Sequence, residues 1–181
     1  MKAAVCREFG APLVVEEVTL GRSGPEDVRV RLSACAICHS DITYIDGGWG
    51  GTLPAIFGHE AAGIVVECGE AVAEVNAGAR VLVTLLRSCG SCFYCDQQQP
   101  SLCESRFALD EKSPITDQKG VTISQGLKTA AFAEEVVVHR SQVIEIPPSI
   151  PFDSASLLSC GVITGVGAVR NVAQVVNGAS V

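Results

Sequence analysis

The chain has 181 residues, 48% of them hydrophobic and 18% charged, with a formal net charge of −7. That composition supplies a sizeable core, excludes a disordered chain and suits one domain or two small ones. The acidic balance argues against nucleic acid or an anionic membrane as the main partner, because phosphate binding needs a concentrated basic face.

Short β segments dominate the first half. Residues 27–34, DVRVRLSA, alternate strictly, with Val28, Val30, Leu32 and Ala34 on one face and Asp27, Arg29, Arg31 and Ser33 on the other. That pattern predicts a half-buried strand, and GRSGPED before it is a turn signal. Further strands are expected at 2–7, 13–19, 62–68, 79–85, 132–138 and 142–146, broken by Gly, Pro and Asn. Together they predict an antiparallel, barrel-like core. Residues 87–128 interrupt it as a polar, cysteine-rich, irregular lobe. From Pro151 onward the pattern turns helical. Asp153 is placed to cap a short helix through Leu158, and Val162, Val166, Val169, Val172, Ala173 and Val176 have helical spacing over about 162–176. Asn177-Gly178 is expected to end that helix, with ASV starting an extended segment.

No apolar run approaches the roughly 20 residues of a membrane span. MKAAVCREFG at the N-terminus lacks a signal-peptide stretch, so a cytoplasmic protein is expected. Nine cysteines then need a reason. An odd number cannot all pair, and clustered thiols in a reducing compartment more often hold metal than form disulfides.

Four of them lie in CGSCFYCDQQQPSLC, as Cys89, Cys92, Cys95 and Cys103. Close spacing around tight turns suits tetrahedral zinc, and four thiolates would close the coordination sphere and leave no room for substrate. The expectation is a structural zinc. Redox pairs usually open a helix near a βαβ unit, which the pattern lacks; an iron–sulfur cluster is compatible with the spacing.

Outside the lobe, CHSD at 38–41 and GHEAAG at 58–63 gather polar, metal-competent residues beside strand ends, and CGVITGVGA follows at 160–168. In this order, and with the cysteine lobe between the second and third, the motifs resemble the zinc-containing alcohol dehydrogenases of the medium-chain dehydrogenase/reductase superfamily. The resemblance covers the whole chain. It implies a mainly β fold with a few helices: a GroES-like, partly open β-barrel with a zinc-stapled lobe at 87–128 and an interdomain helix at about 162–176. It also implies that residues 1–181 are an incomplete catalytic domain, without the α/β coenzyme domain.

The resemblance makes Cys38, His59 and Cys160 the ligands of a catalytic zinc with one open position for water or substrate oxygen. This Cys2His set is the one already known for alcohol dehydrogenase. By the same resemblance Ser40 accepts the substrate proton, Asp41 orients His59, and Glu60 stands behind the zinc. His39 meets the coenzyme pyrophosphate, Thr164 approaches the nicotinamide, and Trp49 and Leu85 line the substrate pocket. The implied cofactors are two zinc ions, one catalytic and one structural, with NAD or NADP held through the absent domain. The implied partner is a small-molecule alcohol or aldehyde, in a homodimer or homotetramer.

Two departures stand out. Thr43 occupies a position where many members carry a relay histidine, and Ala79 in GARV replaces an acid. No strand followed by a G-x-G-x-x-G turn occurs, so the chain alone is expected to bind zinc without turning over. The leading expectation is the zinc- and substrate-binding domain of an NAD(P)-dependent alcohol dehydrogenase. The alternatives are a thiol-adduct formaldehyde dehydrogenase, suggested by the length of 104–128, and a non-catalytic zinc module.

Overall fold

The computed structural model describes residues 1–180. Its elements are, in chain order, β1 (Lys2–Cys6), β2 (Val14–Leu20), β3 (Asp27–Ala36), α1 (His39–Ile45), β4 (Ala55–Ile56), β5 (Glu60–Cys68) and β6 (Arg80–Val83). There follow α2 (Phe93–Asp96), α3 (Ala108–Glu111), β7 (Ile115–Asp117), β8 (Thr122–Gln125), β9 (Glu135–His139), β10 (Val143–Glu145), α4 (Phe152–Leu157) and α5 (Gly161–Gly167). The fold is mainly β with a few helices, as expected.

The strands divide into two sheets. One closes into a barrel in the order β1-β2-β7-β8-β4, and the other is open, in the order β10-β6-β5-β3-β9. The open, partly barrel-like character lies in the second sheet. The two-residue β4 pairs antiparallel with β1 but parallel with β8, the one departure from the antiparallel expectation among the described strands.

The alternation read in residues 27–34 works as expected. Val28 and Val30 are fully buried with Val65, Val81, Val83, Val136 and Val138 in the core of the open sheet. Each such side chain contributes roughly 1.5–3 kcal/mol relative to exposure. The barrel has its own core, built on Val5, Val18, Ile56, Ile115 and Ile123. Gly63 in β5 is required by close approach, because a Cβ there would collide with the Arg31 carbonyl oxygen of the paired strand. In the GARV turn, Gly78 N–H donates to Val65 O at 2.8 Å and Val65 N–H to Ala79 O at 2.9 Å.

Three local expectations are corrected. The irregular lobe is shorter than 87–128, since β7 and β8 return to the barrel and bury Ile115 and Ile123. Asp153 does not cap α4; Pro151 holds that position, and Asp153 sits in the first turn, accepting from Ser154 N–H at 2.6 Å. The long helix begins at Gly161, changes to π-type winding over Ala168–Val172 and stops there, so it does not run unbroken over 162–176 to Asn177-Gly178. Gln174, at φ 50°, has already left helical geometry. The extended segment expected from ASV reaches Val181, which lies outside the described residues.

The lobe is tied to the open sheet by one buried side chain. Arg87 donates from Nη1 to Asp110 Oδ1 (2.7 Å), from Nε to Gln142 Oε1 (2.8 Å) and from Nη2 to the Lys128 carbonyl (2.9 Å). Beside it, Ser88 N–H donates to Ser141 Oγ at 2.9 Å. Burial lowers the Arg87 pKa, and Asp110 and Asp27 oppose that shift. Removing one member of such a pair strands the rest. Arg87→Ala is therefore expected to lower unfolding free energy by about 3 kcal/mol, measured by urea denaturation; a loss under about 1 kcal/mol would mean that the anchor lies elsewhere.

Candidate metal centres

Two groups of side chains converge closely enough to hold a metal ion. One is Cys38, His59, Glu60 and Cys160, and the other is Cys89, Cys92, Cys95 and Cys103; within each, the ligand atoms lie within 4.8 Å of one another.

The first group is assembled by the open sheet. β3 ends at Ala36, and Cys38 follows as the N-cap of α1. His59 and Glu60 stand at the start of β5, which pairs with β3 down to Ala36↔Glu60. Cys160 is the N-cap of α5. The junction of two paired strands thus brings together residues far apart in sequence.

Asp41 organises this corner. It is fully buried and accepts three hydrogen bonds: from Cys38 N–H at 3.0 Å, from Gly58 N–H at 2.9 Å and from His59 Nδ1 at 3.1 Å. With Nδ1 donating, His59 Nε2 keeps its lone pair free for a metal. Gly58 adopts φ 90°, and a Cβ there would lie 2.7 Å from the Phe132 backbone nitrogen, so glycine is required immediately before the ligand histidine. Gly161 N–H donates to Glu60 Oε2 at 3.4 Å, fixing the carboxylate beside Cys160.

The electrostatics suit a cation. Burial, reinforced by the neighbouring Cys38 and Glu60, pushes the Cys160 thiol up to about 11. The Cys160 thiol thus resists ionising, and a dication beside it would remove that penalty.

In the lobe, Cys89 Sγ and Cys95 Sγ are 4.0 Å apart, and Cys92 Sγ and Cys103 Sγ 3.8 Å. A tetrahedron of ~2.3 Å metal–sulfur bonds has edges of ~3.8 Å, so this spacing fits one ion. It is far beyond the ~2.05 Å of a disulfide, and all nine cysteines are free. The Ser105 hydroxyl and Ser91 amide pull Cys89 down to about 5, and backbone amides lower Cys92 as well, which favours the thiolate that a metal binds. Desolvation by its neighbours pushes Cys95 up to about 11.

The remaining sequence candidates lie around the first group. Ser40 and His39 open α1, Ser40 half-buried and His39 exposed. Thr164 lies in the first turns of α5, where its hydroxyl acts on Cys160. Leu85 is half-buried just past β6. Trp49 is 59% exposed and sits edge-on to Tyr44 at 5.1 Å, outside the ligand cluster. Thr43 spends its hydroxyl on the His39 carbonyl at 3.1 Å, a local helical bond. Sequence reasoning missed the residues that brace Cys160. Thr84 Oγ1 donates to the Ser159 carbonyl at 3.2 Å, and Ser159 Oγ reaches the Ala61 carbonyl at 3.5 Å.

Replacing Asp41 by Ala would leave buried donors unpaired, each costing about 1–3 kcal/mol. Asp41→Ala is expected to destabilise the fold by at least about 3 kcal/mol in chemical denaturation. A variant as stable as wild type would show that these donors find other partners.

Residues 24–148 match the family described as alcohol dehydrogenase GroES-like domain. Alcohol dehydrogenase-like 7 of Arabidopsis thaliana is 40% identical over 194 residues, covering 99% of this chain and 48% of the relative. Alcohol dehydrogenase class-P of the same plant is 37% identical, covering 99% and 50%. Among solved structures, an alcohol dehydrogenase zinc-binding domain protein from Burkholderia ambifaria superimposes with a TM-score of 0.90 at 32% identity, over 99% of this chain and 50% of that one. Benzyl alcohol dehydrogenase from Acinetobacter calcoaceticus gives 0.81 at 25% identity, over 94% and 47%. The chain spans about half the length of these relatives.

Proposed function

The chain belongs to the alcohol dehydrogenase GroES-like domain family, and on that premise we propose that it is the zinc- and substrate-binding part of an NAD(P)-dependent alcohol dehydrogenase. Its reaction is reversible hydride transfer between a small alcohol or aldehyde and a nicotinamide. One observation carries the reading: Cys38, His59 and Cys160 converge from three parts of the chain, with the imidazole held through Nδ1 by Asp41.

The donor set is two thiols and one imidazole, a combination suited to zinc with a position left for an exchangeable ligand. Zinc, when bound, supplies a Lewis acid that favours the alkoxide form of an alcohol over the neutral form. The chain's own residues do the rest. Asp41 fixes the tautomer and orientation of His59. Ser40, two residues after Cys38, takes the proton that the alcohol releases. Thr43 is committed to the His39 carbonyl, so the proton passes from Ser40 to solvent. Glu60, tethered by Gly161, offsets positive charge at the site. His39, exposed at the start of α1, meets the coenzyme pyrophosphate, and Thr164 on α5 contacts the nicotinamide. Cys89, Cys92, Cys95 and Cys103 would hold a second ion and, by filling its coordination sphere with thiolates, would give it a structural role. Trp49 and Leu85 contribute to the substrate pocket.

A non-catalytic zinc module would have no use for the first cluster. Metal analysis tests the proposal directly. The purified chain is expected to carry two zinc ions, and Cys160→Ser to retain one. A single ion that survives Cys160→Ser but not Cys95→Ser would replace the dehydrogenase reading with a binding module.

A further inference from the structure

The peptide on either side of Cys160 is held by strands of the open sheet. Gly161 N–H reaches Glu60, at the start of β5. Ser159 is nearly buried; its carbonyl accepts from Thr84 Oγ1 (3.2 Å), and its own hydroxyl donates to Ala61 (3.5 Å). Cys160 itself, at φ −146° and ψ −66°, caps α5 with its carbonyl accepting from Thr164 N–H at 2.9 Å, and its flanking peptides tie that cap to the sheet.

Thr84 is in turn held by the lobe's anchor. The Gln142 amide, fully buried, donates from Nε2 to the Thr84 carbonyl at 2.8 Å and to the Lys128 carbonyl at 3.1 Å. Its Oε1 accepts from Arg87 Nε at 2.8 Å, and Arg87 Nη1 holds Asp110 at 2.7 Å. Arg87 lies two residues before Cys89, and Leu86 N–H donates to Thr84 Oγ1 at 3.4 Å. Every polar group along this line is occupied, and Arg87, Gln142, Thr84 and Ser159 are all buried. A displacement of the segment entering the lobe has no solvent gap in which to dissipate.

We propose that Thr84 is a positioning residue for Cys160, and that Gln142 and Arg87 extend this support to the cysteine lobe, so that metal occupancy of the lobe strengthens metal binding at Cys38, His59 and Cys160. The inference rests on the metal-centre reading above. It gives the lobe a role beyond local stability: a filled lobe fixes the backbone at 87–89, which fixes Thr84, which fixes the peptide that presents the third ligand.

The test uses the chain loaded with cobalt(II), whose absorption separates thiolate-only coordination from the mixed Cys and His set. Affinity at the mixed site is read by chelator competition. Thr84→Val, which keeps shape and removes the hydroxyl, is expected to weaken that site about tenfold, and Thr84→Ser to restore it. Cys95→Ser, which disables the lobe, is expected to weaken the mixed site comparably in the parent chain. In the Thr84→Val background it should add little, because the link is already cut. Should Thr84→Val fail to fold, Gln142→Met breaks the line one residue earlier and enters the same cycle. Wild-type affinity in Thr84→Val or Gln142→Met, or losses that simply multiply in the double variant, would overturn the link and leave the metal-centre reading standing. A wild-type chain with no mixed-site cobalt signal would overturn both.

Discussion

A charged carboxylate buried in a β-rich corner is costly unless every lone pair is used. Asp41 meets that condition with donors from three places: the N-cap of α1, the glycine before β5 and the His59 ring. Those same three places carry or adjoin the ligands Cys38 and His59. The hydrogen bonding that makes the carboxylate tolerable therefore also sets the distance between the two ligands. The surrounding choices follow from it. Glycine is needed at 58 because the chain turns at φ 90° against Phe132, and β3 and β5, after two register shifts, pair down to Ala36↔Glu60, which brings the donors together.

Cys160 is held by different means. Nothing comparable to Asp41 touches it; it is presented by its flanking peptides, which lean on β5 and on the residue just past β6. The two halves of the ligand set thus have separate supports, one local at Asp41, the other a line of hydrogen bonds from Ser159 through Thr84 and Gln142 to the Arg87 guanidinium. This division explains why the site can tolerate strong crowding of thiols and carboxylate at Cys160, where burial and Cys38 push the thiol up to about 11.

What could be read from the sequence follows the range of the forces involved. Strict alternation revealed β3, because its period is a local property and both faces have uniform environments. The cysteine lobe was visible for the same reason, its ligands lying within one short stretch. β7 and β8 were hidden: each offers one isoleucine, Ile115 or Ile123, amid polar residues, and only closure of the barrel makes them strands. The helix after Cys160 was overextended because valine spacing persists past the point where π-type winding and a left-handed Gln174 end it. The three-ligand cluster came from family resemblance, not from spacing, and the bracing of Cys160 had no sequence signal. A hydrogen bond between Thr84 and Ser159 leaves no period to detect.

The two clusters also differ in what a metal can do for the fold. The lobe's ligands close short loops, which costs little chain entropy, yet the lobe buries little: Phe93 is 67% exposed and Leu102 54%. Such a segment lacks a core of its own, so an ion supplies the folding energy that burial does not. The other cluster spans Cys38 to Cys160, a longer closure that costs only about 2 kcal/mol more chain entropy than the lobe's, and the pairing of β3 with β5 shares that cost. An ion there would enter a site braced by Asp41 and Thr84. A metal that builds its site is suited to structure, whereas a site built before its metal can leave a coordination position unfilled. That asymmetry follows from chain connectivity, and it supports the proposal that the chemistry belongs to the dispersed cluster and not to the conspicuous cysteine run.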